Sequence, residues 1–197
     1  MATRSRSRPA AVVGAAAAVG TVLAILAAAL VAPWFSWRAD ALSDLGVAPG
    51  TAPPFNGGLL LGGAFALPYA WALWRAGEGA GRIPAATFAL SVVAMAGVGA
   101  FPAGGPLHFP AALAFYLLAT ATMAVDGLGR LTTTGGRAAL VAAGLHLLVW
   151  AAWIARIRPG PGLALPELAG ALLFVAWVVA GSPVAPLGPA GVRRVAR

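Results

Sequence analysis

Cysteine and lysine are both missing from this chain of 197 residues. Without cysteine there is no disulfide, no thiolate nucleophile and no thiolate metal site. Charge is scarce as well. Asp and Glu together number 5, and charged residues make up 9% of the chain, against about 25% in an ordinary soluble domain. There are two histidines, His108 and His146, and no paired-ligand spacing such as HxxxH or HExxH. Neither a metal nor another cofactor is therefore expected. What is abundant is apolar: 60% of the residues are hydrophobic and mean hydropathy is +0.88. Apolar surface on that scale takes lipid as its solvent. All 13 basic residues are arginine and the net charge is +8. The arginines are scattered among apolar segments instead of gathered on a polar face. They read as membrane-edge charge, and nucleic acid is not the expected partner.

A helix needs about 20 apolar residues to cross the hydrocarbon core. No charge falls between Arg8 and Arg38, which gives a first span at 10–35. A second runs over 55–75. From Ile83 to Val125 there is again no Asp, Glu, Lys or Arg, and "FPAGGPLHFP" at 101–110 divides that stretch into spans at 83–102 and 109–128. Two more follow at 138–155 and 164–182. The first span has a basic start like a signal peptide, but its apolar stretch far exceeds the usual 7–15 residues, so it reads as a retained helix.

The fold class expected is all-α: a polytopic membrane protein with six transmembrane helices in three antiparallel hairpins. Residues 1–9 are a basic N-terminus, 10–182 the membrane domain, and 183–197 a basic, Pro-rich tail. With the N-terminus in the cytoplasm, the inner segments hold Arg4, Arg6, Arg8, Arg75, Arg82, Arg130, Arg137, Arg193, Arg194 and Arg197. The outer ones hold Arg38, Arg156 and Arg158. That asymmetry obeys the positive-inside rule with both termini cytoplasmic, in the cell membrane. Trp34, Trp37, Trp150 and Trp153 fall near the outer interface, and Trp71 and Trp74 near the inner one, where aromatic belts lie.

Polar residues are few, and each outer connection places one beside the start of the next even-numbered span: Asn56, His108 and Glu167. Ser43 and Asp44 lie in the first outer loop, on the same side. Each has a plain structural use. Asn56 would cap the second span. Ser43 or Asp44 would cap a short turn. Pro166 and Glu167 would open the sixth span, with proline at its first position and an acid at the positive end of its dipole. His108 has the least structural reason to exist, since a Pro- and Gly-rich loop needs no imidazole. Brought together, Asp44, His108 and Glu167 would be the catalytic candidates, as divided acid and base groups. Ser43, Asp44, Asn56, His108 and Glu167 form the candidate binding set. Arg38 and Arg156, with Arg158 beside them, would hold a phosphate.

Three further features stand apart. His146 lies in mid-span, where an ionisable residue is a functional hypothesis by default; a bond to Ser91, Thr120 or a backbone carbonyl accounts for it structurally. Asp126 and Arg130 are spaced as an i,i+4 pair at the inner interface, to which no chemistry is assigned. Gly58 and Gly62 form a GxxxG that permits close helix approach, within the bundle or in a homo-oligomer.

The stretches "ALSDLG", "FN" and "GG" at 41–58, "VGAFPAGGPLH" at 98–108 and "LALPELAG" at 163–170 resemble the prokaryotic "domain of unknown function 998" membrane proteins. A more distant likeness is to DRAM-type six-span proteins. The first resemblance implies that Ser43, Asp44, Gly46, Asn56, His108 and Glu167 carry a family pattern. It implies no reaction. Three functions are open: binding of a lipid or small amphiphile, or scaffolding of partners, at the outer rim; an integral-membrane hydrolase or transferase acting on lipid headgroups; and a small transporter. Membrane lipids are the expected partners.

Overall fold

A computed structural model describes residues 2–188 of the chain. Six helices carry it: α1 (Ala2–Leu30), α2 (Ala52–Ala76), α3 (Ile83–Ala100), α4 (His108–Gly129), α5 (Thr134–Ile154) and α6 (Ala164–Ala176), the last continued by a π turn over Trp177–Gly181. Single 3-10 turns occupy Leu42–Gly46 and Gly79–Arg82, and there is no strand among the described residues. Six segments are long and apolar enough to cross a membrane, which is the character of a multi-pass membrane protein.

The helix ends have local causes. α1 stops at Leu30 and not at residue 35 as its composition predicts. Pro33 lacks an N–H and pushes the residue before it out of the helical region, so 31–37 fold into turns. α3 stops at Ala100, two residues ahead of Pro102. α5 is capped by Thr133, whose Oγ1 accepts from Gly136 N at 3.0 Å. It ends in a Schellman turn: Ile157 N donates to Ala152 O at 2.9 Å, and Arg156 takes the left-handed position (φ 63°) that glycine usually fills.

Consecutive helices α1 to α5 pack side by side, while α6 lies chiefly against α5 and meets α1 and α4 only sparsely. Five helices surround a central axis, with α5 outside them. Tyr69, Phe88, Phe115, Phe174 and Trp177 fill the axis toward one end, with Phe174 stacked on Trp177 at a centroid distance of 5.8 Å. Leu117, Val141 and Leu148 point outward and are exposed, as lipid-facing positions are. Gly58 and Gly62 serve packing inside the chain. A Cβ on Gly58 would strike the Ala24 methyl at 2.5 Å, and Gly62 lies directly against the Thr21 side chain.

The two ends of the bundle differ. The connections 31–51, 101–107 and 155–163 gather at one end, called the rim below. The connections 77–82 and 130–133 lie at the other, the base, together with the last turn of α6. Past that turn, residues 183–188 fold back, with Leu187 N donating to Val179 O at 3.0 Å. The remainder of the basic tail, with Arg193, Arg194 and Arg197, lies outside the described residues.

Candidate functional site

The rim is built around the first connection. Asp40 and Asp44 both bond local backbone: Asp40 Oδ2 accepts from Ser36 N at 2.7 Å, and Asp44 Oδ2 from Ala41 N at 2.8 Å. Asp44 thus caps the 3-10 turn 42–46, the structural use its position allowed. The backbone of this connection then clasps the start of α6. Arg38 O accepts from Gly162 N at 2.9 Å, and Asp40 O accepts from Leu163 N at 3.0 Å and Ala164 N at 2.9 Å. Gly162 is required there, because a Cβ would meet the Ala39 carbonyl carbon at 2.6 Å. Orphan amides at the head of α6 are therefore satisfied by a segment over 120 residues away in the chain. Pro166 is the third residue of α6 and not its first.

Glu167 completes the clasp. It is 8% exposed, and its Oε2 accepts from Leu42 N at 2.6 Å. Its Oε1 has no protein partner among the described residues. Ser43, 9% exposed, likewise bonds no protein group through its hydroxyl. His108 is the first residue of α4, and its Nδ1 lies 2.8 Å from Phe101 O. A carbonyl only accepts, so Nδ1 carries the proton and, in the neutral ring, Nε2 keeps a free lone pair. The imidazole thus closes the 101–107 turn with one nitrogen and leaves the other available. Asn56 does not cap α2, whose N-cap is Thr51. Its Nδ2 donates instead to Gly46 O at 2.9 Å, and its Oδ1 is buried with no partner.

Ser43, His108 and Glu167 are brought to one place; Asp44, Asn56 and the arginines are not. The three line the rim end of a cavity of about 60 Å³ on the bundle axis. Below them its wall is apolar: Ile25 from α1, Leu59 from α2, Val92 from α3, Phe115 from α4, Phe174 and Val178 from α6. Tyr116 also lines it and donates from its hydroxyl to Glu167 O at 3.2 Å. Glu167 to Val178 spans eleven residues of α6, about 16 Å at 1.5 Å per residue, or half the hydrocarbon thickness. The cavity's volume, about 60 Å³ of space for the centre of a water-sized sphere, is small for lining residues spread over that length. Arg38 and Arg158 border a separate shallow pocket between α5 and α6, where Arg158 sits 4.5 Å over the Trp153 ring. Arg156 is exposed and lines neither.

His146 is fully enclosed and fully bonded. Trp150 Nε1 donates to its Nε2 at 3.0 Å. Thr120 gives its hydroxyl hydrogen to Tyr116 O at 2.8 Å, so His146 Nδ1, 2.8 Å from Thr120 Oγ1, is the donor in that contact. One neutral tautomer satisfies every partner, with Thr120 in the role the sequence allowed it.

The base holds a polar network that sequence reasoning reached only in part. Asp126, 3% exposed, accepts from Arg130 Nε at 2.6 Å and from Arg130 Nη2 in a bidentate ion pair. It also accepts from Trp177 Nε1 at 2.7 Å, while Arg130 Nη2 donates to Gly181 O at 2.8 Å. Tyr69 donates to Val178 O at 2.5 Å and shares a short contact with Ser182 Oγ. The π turn 177–181 presents these carbonyls. The i,i+4 spacing pointed to the ion pair. Nothing in the chain pointed to Trp177, Tyr69 or Ser182, which lie 51 to 113 residues from their partners.

Residues 15–182 match the family described as "Protein of unknown function (DUF998)". The chain belongs to that family. The match covers all six helices in whole or part, including the rim connections and the base network. No curated protein and no solved structure matches the chain.

Proposed function

We propose that this protein binds a single-chain amphiphile, its tail threaded along the axial cavity and its head held at the rim by Ser43, His108 and Glu167. One observation carries the reading: three side chains that each keep a polar atom without a protein partner line one end of an otherwise apolar cavity. Ligand sites commonly pair an apolar lining with a few placed polar groups. With C–C bonds of about 1.5 Å, a depth of about 16 Å corresponds to an extended chain of about a dozen carbons. Access from the bilayer runs between α1 and α6, where Ala18, Ala171 and Val175 line the cavity and are only half-buried.

In this reading the rim faces the outer side of the cell membrane with both termini in the cytoplasm, and the arginine asymmetry is what supports that orientation. Headgroup hydrolysis has less support. A nucleophile and its base need a contact of about 2.6–3.2 Å, whereas Ser43, Asp44, His108 and Glu167 share no hydrogen bond with one another. Transport is weaker still, because the mid-membrane His146 has both nitrogens occupied.

The test uses purified protein in phosphatidylcholine nanodiscs and a dodecanol carrying a diazirine near its chain end. Irradiation is expected to place adducts on Phe88, Val92, Phe174 or Val178. Ala171→Phe, which fills the cavity from α6, is expected to cut that labelling about tenfold. Adducts confined to Leu117, Val141 and Leu148, and unchanged by Ala171→Phe, would refute the reading.

A further inference from the structure

The chemistry of the mouth selects among heads, and the selection rests on the axial-cavity reading above. Glu167 is more than nine-tenths buried, and one of its oxygens is committed to Leu42 N while the other meets no protein donor. His108 has its Nδ1–H committed to Phe101 O, so its free Nε2 can only accept in the neutral ring. The Tyr116 hydroxyl has spent its hydrogen on Glu167 O, and its oxygen too can only accept. Ser43 alone offers both a donor and an acceptor. No arginine lines the cavity; the rim arginines lie at the α5–α6 pocket or in solvent.

We infer that the amphiphile's head is a hydrogen-bond donor without negative charge, a primary ammonium ahead of an alcohol. An ammonium brings three donors and no acceptor, which suits a lining whose uncommitted polar atoms are mainly acceptors. A hydroxyl supplies one donor and satisfies the mouth in part. A carboxylate or phosphate head would find the Ser43 hydroxyl as its one donor among these side chains and no cation to offset its charge. The mouth therefore discriminates by the sign and hydrogen-bonding sense of the head.

The experiment is competition of the diazirine-dodecanol adducts in the same nanodiscs by dodecylamine, dodecanol, dodecanoate and dodecyl phosphate. Dodecylamine is expected to compete best, dodecanol next, and the two anions at least about tenfold more weakly than the amine. Glu167→Gln keeps an acceptor for Leu42 N. It is expected to erase the amine's advantage over dodecanol in the competition order, whatever its effect on the absolute level of labelling. Equal or better competition by dodecanoate or dodecyl phosphate on the unmodified protein would overturn the inference about the head and leave the cavity reading standing. Absence of cavity adducts with the alcohol probe in the unmodified protein would overturn both. A Glu167→Gln protein that fails to fold leaves the decision with the competition order on the unmodified chain.

Discussion

The base and the rim hold similar numbers of polar side chains and use them in opposite ways. At the base, Asp126 binds Arg130 and Trp177, Arg130 also binds Gly181 O, and Tyr69 binds Val178 O and Ser182. The groups close on one another. At the rim, Glu167 and His108 each give one atom to the fold and keep one back, and the Ser43 hydroxyl gives none. A closed network is expected of groups that hold helices together; free atoms at the head of a cavity are expected of groups that meet something else. The rim atoms without a protein partner remain accessible, and the one enclosed side-chain atom without a partner among the described residues is Asn56 Oδ1.

The largest effect that would sharpen this contrast lies at the base. Asp126→Ala leaves a half-buried guanidinium and the buried Trp177 indole N–H without their shared acceptor, a loss of about 3 kcal/mol for the two lost partners. The expected result is little monodisperse protein on size exclusion and a collapsed thermal transition. Next is His146→Leu, which orphans the Trp150 N–H and the Thr120 hydroxyl oxygen and should cost about 1–3 kcal/mol. The melting temperature falls, and amphiphile labelling survives in the folded fraction. Asp44→Ala removes a turn cap for about 1 kcal/mol. If it abolishes labelling without lowering the melting temperature, Asp44 belongs to the site after all and its assignment here fails. The smallest stability effect is at Ser43. Ser43→Ala should move stability by no more than about 0.5 kcal/mol while weakening dodecylamine competition. A large loss of stability with unchanged competition would make the rim an ordinary piece of scaffold and dissolve the comparison.

Much of the architecture was legible. Charge-free runs marked the six helices, and prolines at 33 and 102 governed where α1 and α3 stop, although hydropathy alone carried the first span too far. The i,i+4 spacing of Asp126 and Arg130 disclosed their ion pair. Ser43, His108 and Glu167 could be expected on one side from span parity, and they line one cavity. What escaped has a common cause. The clasp on α6 is made by the carbonyls of Arg38 and Asp40, and every residue has a carbonyl, so no side-chain signal exists. The Tyr69–Ser182 and Trp177–Asp126 contacts join residues whose proximity depends on helix order and register. The π turn adds a shift of register that apolar composition does not encode. Asn56 was read as a cap because its type favours caps, but tertiary proximity to Gly46 O decided its use.

The clasp also bears on how the protein is made. The connection that closes the head of α6 lies between α1 and α2 and emerges early in synthesis; its partner is the last helix to emerge. Until residue 167 has been added, the Leu42 amide lacks its acceptor, and the cavity has no α6 wall. Without α6 the cavity would lack Glu167, Phe174 and Val178 from its wall and the Leu42 amide would lack its partner. The proposed mouth therefore depends on α6, and a chain cut ahead of residue 164 lacks both the Glu167 acceptor for Leu42 N and the α6 lining of the cavity.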